Sequence, residues 1–125
     1  DEDFLSEMAL LTNMDAEAEP VANEPGNALK LSTVHQAKGL EWNVVFLLWA
    51  VDGMFPSSRS MNEAGGEGEE RRLFYVATTR AKDELYLCTP EVRRTRDGGV
   101  MYCTPSRFVS EIPPNLVEQD YVGFI

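Results

Sequence analysis

At 125 residues the chain has room for one domain, or for a piece of a larger one. Its apolar fraction of 43% supports a packed core, yet no apolar run approaches the ~20 residues that a bilayer-crossing helix needs. The formal net charge of −10 excludes a broadly basic surface for phosphates, although eight of the acids fall in residues 1–28, which hold no Lys or Arg. Residues 29–125 carry eleven bases against thirteen acids, so any contact with a nucleic acid must be local. An opening at Asp1, with neither Met nor a charged-then-apolar leader, leads us to expect a segment cut from a longer polypeptide. Cys88 and Cys103 have neither the spacing of a zinc site nor the density of a disulfide scaffold, and free thiols in a reducing cytosol are expected.

Phe4, Leu5, Met8 and Leu11 recur at helical spacing and predict a short amphipathic helix over Asp3–Leu11. Asp15–Asn27 is acidic, carries Pro20, Pro25 and Gly26, and reads as a linker. Leu29–Val34 is a strand candidate. Val44–Trp49 is a continuous apolar run, which suits a central strand of a parallel sheet covered on both faces. Asp52–Gly68 is rich in Gly and Ser and reads as a loop.

From Glu69 the period changes: Leu73, Val76, Ala77 and Arg80 form one helical stripe. Glu84–Cys88 predicts another strand, and Asp97-Gly98-Gly99 before Val100–Cys103 predicts a small hairpin beside the basic patch Arg93, Arg94 and Arg96. Ser106 is placed to cap a short helix running to about Ile112, which Pro113 and Pro114 stop. The boundaries expected are a lead-in helix and linker at 1–28, the folded part at 29–113 and a tail at 114–125. Strand, loop, strand, helix, strand is an α/β grammar with parallel connections, and such sheets bind ligands in loops beyond the carboxyl ends of their strands.

Arg80 and the segment Thr33–Trp42 are therefore the places to look for chemistry. A guanidinium on an apolar stripe costs desolvation unless a carboxylate or phosphate meets it. An ion pair within the domain and an arginine finger reaching a nucleotide phosphate both satisfy that demand, and spacing does not separate them. In Thr33–Trp42, Gly39 permits a tight turn that aims His35 one way and Glu41 another. Trp42, Trp49, Phe46 and Tyr75 are candidates for stacking on bases, but Phe46 and Trp49 belong to the most apolar run and are expected in the core. The arginines of the hairpin are expected to be solvated.

Four stretches in order carry a resemblance. Thr33–Trp42, TVHQAKGLEW, resembles motif V of the UvrD/Rep/PcrA helicases of superfamily 1, and Glu69–Ala81 resembles their motif VI. Asp52–Ser57, DGMFPS, is similar to the family's E-G-M-F-P-S, and Thr104–Pro113 to its P-S-R-F-x-x-E-L-P. The departures are Gln36 for Ser, Trp42 for Phe, and Ala77-Thr78 for Gly-Val.

The resemblance implies a RecA-like α/β fold with a mostly parallel sheet, the C-terminal portion of a second motor domain. It implies that Arg80 stabilises the γ-phosphate of ATP, that Glu41, with Gly39 beside it, contacts the nucleotide, and that His35 and Thr33 touch single-stranded DNA. It implies a 3′-to-5′ helicase that acts at duplex junctions in the cytoplasm. No G-x-x-x-x-G-K-[ST] loop occurs, so ATP and Mg²⁺ are expected to be held mainly by an N-terminal motor domain, and this stretch alone is expected not to hydrolyse ATP. The alternative is a non-catalytic DNA- or protein-interaction module derived from a truncated helicase. A stand-alone nucleotide-binding enzyme is undercut by the same missing loop. The oligomeric state is not legible.

Overall fold

Parallel pairing is what the apolar run at Val44 implies, and the computed structural model, which describes residues 28–123, contains it. Strand β1 (Trp42–Leu47) lies parallel to β2 (Ala81–Leu87), with Trp42 opposite Ala81, Leu47 opposite Leu87, and an irregularity between Trp42 and Val44. Two helices make the crossover, the short α1 (Ser58–Met61) and the long α2 (Gly66–Thr78). The hairpin of β3 (Val92–Arg94) and β4 (Val100–Tyr102) forms where the Asp-Gly-Gly turn predicts it. Helix α3 (Arg107–Ser110) is capped by the Ser106 hydroxyl, which accepts from the Phe108 N–H at 3.2 Å. A 3-10 turn at Pro114–Leu116 follows, where only an end to the helix was expected.

The core is an aromatic knot. Phe55, Phe74 and Phe108 meet with ring centroids 5.5 to 6.2 Å apart, in edge-on and tilted arrangements that suit aromatic quadrupoles. Leu47, Ala50 and Ala77 complete the buried cluster, with Val34, Leu73, Leu87, Val109 and Ile112 packed around it. Gly66 lets α2 start against α1: a Cβ there would lie 1.6 Å from the Ser60 carbonyl oxygen, which only glycine avoids.

Several expectations are corrected. Leu29–Val34 forms no strand, because the Thr33 and Val34 carbonyls accept from the Ala37 N–H in a turn rather than from a ladder. The strand at Val44 begins at Trp42 and stops at Leu47; Trp49, at φ 56°, is in the left-handed region, which a strand does not continue through. The segment after Asp52 holds α1 and the first turn of α2 rather than loop alone. Phe46 is not a core residue. It stacks on Tyr86 with centroids 4.5 Å apart and is 58% exposed, because helix α2 and the Phe108 segment cover only the opposite face of the strand pair among the described residues. Trp49 is half-buried. The predicted Asp3–Leu11 helix and Asp15–Asn27 linker lie outside the described residues.

Candidate functional site

Arg80 stands just beyond the last turn of α2, where helix carbonyls run out of amide partners. The Tyr75 carbonyl accepts from the Thr79 N–H at 3.0 Å, and the Ala77 carbonyl from the Arg80 N–H at 3.3 Å. That leaves the Val76 carbonyl between them, and side chains take it: the Thr79 hydroxyl donates at 3.0 Å and Arg80 Nε at 3.1 Å. Arg80 Nη1 donates to the Leu40 carbonyl at 3.1 Å, and Nη2 to Thr79 Oγ1 at 3.2 Å. The side chain is half-buried. Every one of these acceptors is neutral, and among the described residues no carboxylate lies within ion-pairing distance of Arg80. The negative end of the α2 dipole favours a cation here without neutralising it. Part of the donor fork is also left unspent.

The turn at residues 34–39 is closed from its first residues. Thr33 Oγ1 accepts from the Gln36 N–H at 3.1 Å, the Thr33 carbonyl accepts from the Ala37 N–H at 3.1 Å, and the Leu40 N–H donates to the Ala37 carbonyl at 3.0 Å. Ala37 is buried and anchors the turn, whereas Thr33, His35, Lys38, Gly39 and Glu41 are exposed. Gly39 adopts φ 85°, the left-handed conformation that the sequence anticipated for it. The Trp42 N–H then donates to the Arg80 carbonyl at 2.9 Å. Glu41 is thus held between two residues, Leu40 and Trp42, that both bond to Arg80. The chain brings Gly39, Glu41 and Arg80 to one place, and sets His35 and Thr33 at the far end of the same turn.

A second charged cluster went unread in the sequence. Asp52 Oδ1 accepts from the Arg107 N–H at 3.0 Å and from Arg107 Nε at 3.4 Å, while Arg107 Nη1 donates to Glu67 Oε1 at 3.1 Å. Arg71 makes a two-pronged bond to Glu111, 2.7 Å and 3.3 Å, and lies 5.1 Å from the centre of the Phe108 ring. These contacts hold the Arg107 and Arg71 guanidinium pKa values above their ordinary range, and Arg71 holds the Glu111 carboxyl below its own. The cluster ties the DGMFPS stretch, the start of α2 and the SRFVSE stretch into one clamp around the aromatic knot. Acids and bases at those positions were visible, but residues 52, 67 and 107 are separated too widely in sequence for any local period to pair them.

Cys88 and Cys103 are free thiols, with burial pushing the Cys88 thiol above its usual range. Among the described residues no helix is long and apolar enough to cross a membrane, and no three His, Cys, Asp or Glu side chains are grouped to hold a metal ion. The implied nucleotide is an anion, and the cation with neutral acceptors beside Glu41 suits part of it; among the described residues no cradle for its metal accompanies them.

Residues 2–91 match the family of UvrD-like helicase C-terminal domains, and the chain belongs to that family. Over 120 residues, 95% of this chain, it is 44% identical to DNA helicase II of Escherichia coli strain K12. It is 44% identical over 116 residues to the ATP-dependent DNA helicase PcrA of Bacillus subtilis, and 40% identical over 116 residues to the ATP-dependent DNA helicase UvrD1 of Mycobacterium bovis. These matches cover 92% and 93% of this chain. The chain spans 16%, 16% and 14% of those three relatives' own lengths.

Proposed function

We propose that this chain is the C-terminal portion of the second, RecA-like motor domain of an ATP-dependent 3′-to-5′ DNA helicase. On this reading 29–113 is the motor portion, 1–28 leads into it and 114–125 is a tail. The observation that carries the proposal is Arg80: a half-buried guanidinium oriented by the Val76 and Leu40 carbonyls and the Thr79 hydroxyl, with no carboxylate to cancel its charge among the described residues. A cation held in place and not neutralised is prepared for an anion that arrives from outside.

ATP, held with Mg²⁺ mainly by the N-terminal motor domain, supplies a phosphoryl group whose transfer to water releases the free energy for movement. Arg80 neutralises the charge that builds on that phosphoryl group as the two domains close. Glu41, fixed between residues that both bond to Arg80, contacts the nucleotide's ribose, and Gly39 gives the turn the approach that this requires. His35 and Thr33 meet the backbone of single-stranded DNA. Because one turn carries both sets, the grip on DNA and the state of the nucleotide are linked through Leu40. The substrates are single-stranded DNA and duplex junctions, in the cytoplasm.

The test is Arg80→Ala in the intact parent protein. The DNA-stimulated ATPase rate is expected to fall roughly 10³- to 10⁵-fold with binding to single-stranded DNA nearly unchanged. An undiminished ATPase rate overturns the role, and a parent without any ATPase activity favours the non-catalytic interaction module.

A further inference from the structure

Arg80 stands at a helix end, where a long side chain has many rotamers to lose. Its orientation rests on three acceptors, and two are backbone carbonyls that no substitution removes. The third is a side chain. Thr79 Oγ1 lies 3.0 Å from the Val76 carbonyl and 3.2 Å from Arg80 Nη2. A hydroxyl has a single hydrogen to give, and a carbonyl takes but never gives, so that hydrogen goes to Val76. The oxygen's lone pair is then committed to face Nη2. Arg80 Nε donates to the same Val76 carbonyl at 3.1 Å, so one otherwise orphaned helix carbonyl and one threonine form a two-point seat for the guanidinium. Nη1 is meanwhile turned to Leu40 in the neighbouring turn.

We infer that Thr79 is a positioning residue for Arg80: its hydroxyl, locked by Val76, aims the guanidinium at the transferring phosphoryl group. The inference rests on the helicase reading of Arg80 and adds to it the group that fixes the aim. Thr79 is half-buried and closes the end of α2, so a purely structural role is the competing account. The two accounts differ in what they demand. A positioning role needs Arg80 as well as the hydroxyl, whereas a structural role, in which the hydroxyl only satisfies the Val76 carbonyl at the helix end, operates equally without Arg80.

In the intact parent protein, Thr79→Val keeps the shape and removes the hydroxyl, Thr79→Ser keeps the hydroxyl, and Thr79→Ala serves if the valine variant does not fold. The valine variant is expected to lower the ATPase kcat about tenfold, with KM for ATP nearly unchanged and the serine variant restoring most of the rate. Binding of ADP with aluminium fluoride, a mimic of the phosphoryl group in transfer, is expected to weaken about tenfold while binding of ADP alone stays unchanged. In an Arg80→Ala background the valine substitution should cost nothing more in either measurement. Equal kcat and fluoride-complex binding in the valine, serine and wild-type proteins, or a loss that persists in full without Arg80, overturns the inference while leaving the helicase reading intact. An Arg80→Ala protein with wild-type ATPase and fluoride-complex binding overturns both.

Discussion

Arg107 and Arg80 are both half-buried arginines at helix ends, and the protein holds them in opposite ways. Arg107 opens the single-turn helix α3, and it is met by two carboxylates, Asp52 and Glu67. Arg80 follows α2, where the dipole favours a cation, and among the described residues it is met only by two carbonyls and a hydroxyl. The first arrangement closes a charge inside the fold and joins three distant stretches of chain. The second keeps a charge open at the edge of a turn. The acids around Arg107 mark it as structural, and their absence around Arg80 among the described residues is what the proposed phosphate-binding role rests on.

Substitutions in the two regions should damage different properties of the protein. Phe108→Ala removes one ring of the knot on which the Arg107 clamp is built and should destabilise the fold by roughly 3–5 kcal/mol, measured by denaturant unfolding. A loss below about 1 kcal/mol would mean that the knot does not hold the clamp together. Arg107→Ala should come next, lowering Tm by on the order of a few degrees, whereas Arg80→Ala should shift Tm less while having the larger effect on ATP turnover. If the two variants exchange these effects, the contrast between a closed and an open charge is wrong.

The smallest effect is one of pH. Arg71 holds the Glu111 carboxyl below its ordinary range, so the unfolded chain binds that proton more readily than the folded one. The stabilisation is fully present above the ordinary glutamate pKa of about 4.3 and fades as the pH falls through the lower, folded value. Glu111→Gln should lower Tm slightly at neutral pH and flatten the acid limb, measured as Tm against pH, so that the variant and the wild type converge as the carboxylate is protonated. An unaltered acid limb would show that the Arg71–Glu111 bond, exposed on both sides, contributes nothing measurable.

Much of the scaffold was legible because its causes are local. The stripe of Leu73, Val76 and Ala77 located α2, although Arg80, its fourth member, stands beyond the helix end; the Asp-Gly-Gly turn located the hairpin, and Ser106 located a helix start. Yet that stripe passed over Phe74, one of the three rings of the core, since a helix set into an aromatic knot buries a wider arc than its cleanest period suggests. Phe46 failed in the other direction. Apolar character on both faces of β1 pointed to burial on both, but burial needs a covering layer, and the described residues provide one on a single face.

Four ordered motifs were enough to identify the family, and periods and caps that act within a few residues were enough to locate the local elements. The tertiary structure alone decided which charges are closed and which stay open. Asp52, Glu67 and Arg107 come together only when the crossover folds back, and Arg80 meets Leu40 only because β1 and β2 lie in parallel register. Charge pairing falls off over a few ångströms of space, and the distance that separates residues along a chain says little about it until the chain has folded.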